Sequence, residues 1–222
     1  MLQTDKNELL RIGKLLYRRK YVVASEGNLS CRIDSKNILI TRSGVCKGEL
    51  VPENLVKISL EKSASIQKRK PSTEIQLHLE VYRQRPDIKA VIHAHPPYAI
   101  SLTLAGIPLD KPYTPESVLL LGAVPTAAYG RPSTSQVAES IQKYLKKTDI
   151  ILLERHGSLT IGKTLAEAYY KLEILENTAK IVWLGKEAGI IKPLPLKEVK
   201  ELFALRRDVY GLEYPVLPFE SK

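Results

Sequence analysis

Leu9, Ile12 and Leu16 fall on one face of a 3.6-residue repeat, with Leu10 and Leu15 flanking, and predict a first helix ending near Arg19. Asp5 and Glu8 are spaced as a capping pair for its start. The pattern then shortens: Leu29 to Ile33 and Ile38 to Thr41 are strand-length runs joined by the turn Asp34 to Asn37, which predicts a hairpin, and Leu55 to Leu60 predicts another strand. A polar loop over residues 61–70 leads to a second helix, opened by Pro71-Ser72-Thr73-Glu74 and carrying Ile75, Leu77, Leu79, Val81 and Tyr82. Ala90-Val91-Ile92 leads into a strand with His93 and His95, and Tyr98 to Leu104 reads as a short helix closed at Gly106. Ser133-Thr134-Ser135 caps a helix to about Leu145, and Ile150 to Leu153 is a buried strand. A long helix follows from Thr164 to Gly189, then breaks at Pro193 and Pro195, then a last helix from Lys197 to Arg207. No shift in composition divides the chain, so residues 1–222 are expected to form a single domain, with residues 208–222 as a C-terminal tail with mobility of its own.

Composition changes this picture little. Hydrophobic residues make up 44% and charged residues 26%, the ordinary balance of a soluble globular chain. The net charge of +10 favours an anionic small molecule. The basic clusters Arg18-Arg19-Lys20 and Lys68-Arg69-Lys70 lack interleaved aromatics, and read as solvated surface with no nucleic-acid partner. Cys31 and Cys46 have no Cys-x-x-Cys spacing and read as small packed residues. No apolar run reaches membrane-spanning length and the first residues lack the apolar stretch of a signal peptide, so a cytoplasmic protein with no membrane partner is expected.

The candidate chemistry lies between Asn28 and His156. Residues two apart on a strand project to one face, so His93 and His95 point together. Such a pair is commonly just hydrogen-bonded, but a third histidine, His156, stands where the strand Ile150 to Leu153 opens into a turn before Gly157. Three imidazoles with a coordination position left open are the donor set of a catalytic zinc site. Ser72 and Thr73 sit at a helix start, where free N–H groups and the positive dipole end favour a phosphate. The turns around Asn28 and Ser43-Gly44 offer similar anion-binding corners, although Gly, Asn and Ser are also ordinary turn formers. Glu74 reads equally as a first-turn acid complementing the helix dipole, and His78, one turn on, as packing or support.

Taken together, Asn28-Leu29-Ser30, Ser43-Gly44, Ser72-Thr73-Glu74, His93-Ala94-His95-Pro96 and His156-Gly157 resemble the class II aldolase and adducin head family, most of all its fuculose-1-phosphate aldolases. The resemblance runs from about residue 5 to about residue 212. It implies an α/β fold with a central, mostly antiparallel sheet flanked by helices, which the hairpin over residues 29–41 supports. It also implies a homotetramer with sites at subunit boundaries, and reversible cleavage of a ketose 1-phosphate to dihydroxyacetone phosphate and an aldehyde through a zinc-stabilised enediolate. Each subunit would carry one Zn2+ on His93, His95 and His156, other divalent metals being acceptable to imidazole. Glu74 would be the acid/base, and Asn28, Ser43, Gly44, Ser72 and Thr73 would hold the phosphate. Tyr210-Gly211-Leu212 resembles the C-terminal Tyr-Gly-Leu of the aldolases, whose tyrosine lies near the site; where they carry the aldehyde-side tyrosine this chain has Glu116, with Tyr113 three residues earlier as the candidate phenol. Within the family, a pentulose-phosphate 4-epimerase carries Asp in place of Glu74, and a methylthioribulose-1-phosphate dehydratase shares the histidines. A non-catalytic adducin-like interaction module would need neither the histidines nor Glu74.

Overall fold

The computed structural model describes residues 2–61 and 70–219, so most of the polar loop expected at 61–70 lies outside the described residues. The strands are β1 (Asn28–Arg32), β2 (Asn37–Thr41), β3 (Leu55–Ser59), β4 (Ala90–Ala94), β5 (Thr126–Ala127), β6 (Ile150–Leu153) and β7 (Gly157–Gly162). They form one sheet in the order β3-β2-β1-β4-β7-β6-β5. Every neighbouring pair is antiparallel except β5 and β6. The fold is thus the mostly antiparallel sheet with flanking helices that the sequence led us to expect. The helices are α1 (Leu2–Arg18), α2 (Ile75–Gln84), α3 (Pro97–Leu104), α4 (Ser135–Ile141), α5 (Leu165–Ala188) and α6 (Leu196–Asp208).

Two-residue alternation sorts the side chains between two layers. Ile38, Ile40, Val91, Ile151 and Ile161 face α2 and α4, packing on Leu77, Val81, Val137 and Ile141. Leu29, Leu39, Ala90 and Ile92 face the other way, onto Leu9, Ile12 and Leu16 of α1 and Leu165 and Leu172 of α5. A third cluster joins α3 and α5 to β6 through Leu102, Ile150, Leu152, Leu175 and Val182. With both faces covered, β4 and β6 are buried along their whole length.

Local chemistry sets the helix ends. Thr164 caps α5 by accepting from the Glu167 N–H, and Gly189 ends it. Thr134 caps α4 through the Gln136 N–H, but α4 stops at Ile141 and turns replace the helix expected to reach Leu145. Because α1 already begins at Leu2, Asp5 lies inside its first turn, and Glu8 accepts from Arg11 instead of forming a capping pair with it. From the last turn of α6, Arg206 donates to the carbonyls of Leu119, Leu212 and Tyr214, and the Tyr214 hydroxyl donates to the Leu120 carbonyl.

One buried charge cluster ties the layers together. Asp149, with a side chain 1% exposed, accepts from Arg85 at 2.8 Å and from Lys171 at 2.7 Å. Removing one member of such a group leaves the others charged and unpaired in the interior. Asp149→Ala is therefore expected to destabilise the protein by about 3–5 kcal/mol in urea unfolding. Glu201→Ala, at an exposed pair 3.9 Å from Lys197, should cost less than about 1 kcal/mol. Equal midpoints for the two variants would refute the role given to Asp149.

Candidate metal centre and active site

Five chain segments deliver the candidate metal, acid/base and phosphate residues to one end of the sheet. Asn28 opens β1 and lies directly opposite His93 in the β1–β4 pairing, while Ala94 lies opposite Ser158 of β7. His93 shares the α2-facing side with Val91, which turns its ring toward the start of α2. His156 sits in the tight β6–β7 turn, its N–H bonded to the Leu153 carbonyl. Only glycine fits at 157, since a Cβ there would stand 2.5 Å from the Ala94 carbonyl oxygen and 2.8 Å from the His95 ring. Two of the candidate phosphate corners are neighbours: the Ser72 N–H donates to the Thr41 carbonyl and the Ser43 N–H to the Lys70 carbonyl. Gly44 takes φ +73°, with open space where a side chain would be. Thr73 accepts a hydrogen bond from the Ser133 hydroxyl at 2.8 Å.

Ligand nitrogens of His93, His95 and His156 lie within 4.8 Å of one another. Their protonation follows from fixed acceptors. His93 Nδ1–H donates to the Ser158 carbonyl at 3.0 Å, and His95 Nδ1–H donates to the Glu26 carboxylate at 3.1 Å, which leaves a lone pair on each Nε2. Those two Nε2 atoms face each other at 3.1 Å. Glu74 adds more negative charge, with Oε2 at 3.1 Å from His93 Nε2 and Oε1 at 3.3 Å from His156 Nε2. Among the described residues, neither Glu74 Oε1 nor His156 Nδ1 has a hydrogen-bond partner, although both atoms are buried. Convergent lone pairs of this kind require a positive charge among them. The His93–His95 separation of 3.1 Å approaches the tetrahedral edge of about 3.3 Å set by zinc–nitrogen bonds of about 2.0–2.1 Å, and with all three nitrogens within 4.8 Å the cluster could hold a divalent metal.

The electrostatics agree. Burial alone would push the Glu74 carboxyl up, but His93, His156 and the Asn28 amide outweigh it and hold the group well below the usual carboxylate range. Burial pulls His156 down to about 4, and burial followed by the nearby His93 lowers His95, so both rings are neutral and able to bind a metal. His93 is buried too, yet the adjacent Glu74 carboxylate carries its pKa above the ordinary value. A proton and a metal ion therefore compete for the same nitrogen.

Asn28 does more here than line an anion corner. Its Nδ2–H donates to Glu74 Oε2 at 3.0 Å, and its Oδ1 accepts from His78. Sequence reasoning missed Glu26, which holds His95, and Ser133, which meets Thr73; Glu26 stands in the Ser-Glu-Gly-Asn turn already singled out for Asn28. Tyr113 is half-buried against the cluster of α3 and α5, and Tyr210 is 59% exposed beyond α6. Among the described residues, no hydrogen bond joins either tyrosine to Glu74 or the three histidines.

Residues 7–183 match the family model for the class II aldolase and adducin N-terminal domain. The chain belongs to this family. It is 37% identical over 186 residues to a 3-oxo-tetronate 4-phosphate decarboxylase of Pectobacterium atrosepticum, covering 82% of this chain and 85% of the relative. It is equally 37% identical over 177 residues to an L-fuculose phosphate aldolase of Methanococcus vannielii, covering 80% of this chain and 94% of the relative. Among solved structures, YgbL of Klebsiella pneumoniae superposes with a TM-score of 0.81 at 35% identity, over 90% of this chain and 98% of that one. An L-fuculose 1-phosphate aldolase superposes at 0.80 with 31% identity, over 90% of this chain and 94% of that one.

Because binding must displace the His93 proton, metal affinity is expected to fall as pH drops through a value above 6.5, the ordinary histidine pKa. Chelator competition from pH 5 to 9 measures this, and the triple variant His93→Ala/His95→Ala/His156→Ala should retain no bound metal. Full metal occupancy in that variant removes the three-histidine site.

Proposed function

We propose that the protein is a metal-dependent lyase that breaks a carbon–carbon bond next to a carbonyl in a phosphorylated sugar, and that its substrate is a ketose 1-phosphate such as fuculose 1-phosphate. One observation carries this reading. An ionised, largely buried carboxylate, Glu74, stands within 3.3 Å of two imidazoles of a three-histidine cluster, with one oxygen lacking a hydrogen-bond partner among the described residues. An adducin-like binding module has no use for that arrangement. A divalent ion such as zinc, held by His93, His95 and His156, would supply an electrophile for the substrate carbonyl.

The chain's own groups account for the rest. Asn28, Ser43, Gly44, Ser72 and Thr73 would receive the phosphate through hydroxyls, an amide and backbone N–H groups, as helix starts and turn corners do for dianions. Glu74 would take a proton from the hydroxymethyl carbon of dihydroxyacetone phosphate in the synthetic direction and return it in cleavage. The developing alkoxide on the aldehyde side needs a proton as well. With Tyr113 and Tyr210 lacking a bond to the cluster within one chain, a homotetramer in which the neighbouring subunit brings Tyr113 to the site supplies that phenol.

A second reading, decarboxylation of a 3-oxo-tetronate 4-phosphate, is favoured by the 37% identity to the Pectobacterium atrosepticum enzyme. Here carbon dioxide leaves where the aldehyde would, and Glu74 would only return a proton to the carbon. Metal-loaded protein offered a panel of sugar 1-phosphates and, separately, 3-oxo-tetronate 4-phosphate distinguishes the two. Release of dihydroxyacetone phosphate with an aldehyde from a sugar 1-phosphate supports the aldolase, release of dihydroxyacetone phosphate with carbon dioxide from 3-oxo-tetronate 4-phosphate supports the decarboxylase, and turnover of neither substrate overturns both.

Glu74→Gln should keep the fold and the metal while slowing solvent deuterium uptake at the hydroxymethyl carbon of dihydroxyacetone phosphate by at least about a hundredfold, the scale of a lost general base. Undiminished uptake would move the base elsewhere. For the assembly, mixing Glu74→Gln with Tyr113→Phe under subunit exchange should regenerate sites that carry both wild-type groups. If mass spectrometry shows mixed tetramers and activity stays absent, Tyr113 does not cross the boundary.

A further inference from the structure

Behind Glu74 lies a row of buried polar groups, of which the proposed chemistry uses only Asn28. The Tyr82 hydroxyl meets Ser30 Oγ at 2.8 Å, Ser30 Oγ meets His78 Nδ1 at 2.6 Å, His78 Nε2 meets Asn28 Oδ1 at 2.5 Å, and Asn28 Nδ2 meets Glu74 Oε2 at 3.0 Å. Ser30 and His78 are 0% exposed, Tyr82 and Asn28 3%.

The direction of every bond in this row is forced from one end. An ionised carboxylate only accepts, so the Asn28 amide nitrogen faces Glu74 and its oxygen faces His78. That oxygen only accepts, so His78 Nε2 carries a proton. Burial pulls the His78 pKa down to about 3, so the ring is neutral and its Nδ1 is a bare acceptor. Ser30 must then donate to His78, and Tyr82 must donate to Ser30. An Asn amide flipped by 180° would put its oxygen against the carboxylate and its NH2 against an imidazole N–H, two repulsive contacts in a buried place.

We infer that His78, backed by Ser30 and Tyr82, is a positioning residue that locks the Asn28 amide and thereby decides which oxygen of Glu74 serves as the base. Oε2 is held by the Asn28 N–H. Oε1, which has no hydrogen-bond partner among the described residues, is the oxygen left to exchange a proton with substrate carbon. The inference rests on Glu74 being the acid/base, and it adds three buried residues and a fixed tautomer to that reading. Because the row contains an amide, which does not pass protons along, its role is orientation and not proton delivery.

Two measurements on the zinc-loaded protein test it. Nitrogen-15 NMR of the histidine rings should show His78 as the Nε2–H tautomer with unprotonated Nδ1; the Nδ1–H tautomer overturns the inference outright. His78→Leu, of similar bulk without polar atoms, should lower kcat by about 10–100-fold, the range for losing a group that orients an active-site side chain, with KM and zinc content within about twofold of wild type. His78→Gln, which offers an N–H toward Asn28 and a carbonyl toward Ser30, should recover most of the loss. Equal losses in the two variants, or wild-type kcat in His78→Leu, refute the positioning role. Should His78→Leu not fold, Ser30→Ala carries the same comparison, since it removes the donor that selects the tautomer. If wild-type protein turns over neither substrate class, the functional reading fails on its own. The tautomer, and the Asn28 orientation in a crystal structure of His78→Gln, still decide whether this row sets Glu74.

Discussion

The pairing of β1 with β4 that sets Asn28 opposite His93 is the constraint on which the site depends. A strand's side chains alternate between faces, so a slip of one residue would turn His93 away from α2 and bury it among the leucines of α1 and α5. The register is fixed by the core and not by the site. Leu29 and Ile92 must face one layer while Val91 faces the other, and each slip would place at least one apolar pair wrongly and expose covered surface. The same alternation aims His93 at the start of α2, where the chain returning from Pro71 presents Glu74.

Charge balance then becomes the local problem that this geometry creates. A buried carboxylate among imidazoles whose lone pairs converge would be costly without a cation, since several acceptors confront one another in a region shielded from water. The surrounding acceptors make the problem sharper by design of their placement: the Ser158 carbonyl and Glu26 each consume the Nδ1 proton of a histidine and so free the opposite nitrogen. A divalent ion resolves the conflict for all of these groups together, and a proton on His93 resolves only part of it. Metal affinity and protonation are therefore linked through one nitrogen, as in other imidazole sites.

Much of this could be read before the fold was known, because the signals were local. A His-x-His at the end of an apolar strand, a histidine before glycine after another apolar strand, and a carboxylate after Ser-Thr at a helix start each have short-range causes. β7 was not legible, since its buried polar residues Ser158 and Thr160 alternate with Leu159 and Ile161, and polar residues weaken an apolar run even when the strand is wholly covered. β5 is two residues long and gives no pattern at all. The row from Tyr82 to Asn28 was hidden for a different reason: its members are 46 to 52 positions apart along the chain and are joined only by the packing of α2 on β1. Long-range contacts of this kind leave no periodic trace in a single sequence.

The two halves of the proposed site differ in construction. Glu74, Asn28 and the histidines stand at strand and helix ends inside covered layers, with side chains of His93 and Glu74 only 0% and 11% exposed. The candidate groups for the departing fragment, Tyr113 and Tyr210, stand on connecting segments at or near the surface. Changing a connecting segment costs the core little, whereas changing a strand end disturbs register, charge and packing together. Both aldol cleavage and decarboxylation end with negative charge on the same carbon, beside the same carbonyl. The rigid half answers to that shared requirement, and the surface half is free to be rebuilt for an aldehyde or for carbon dioxide.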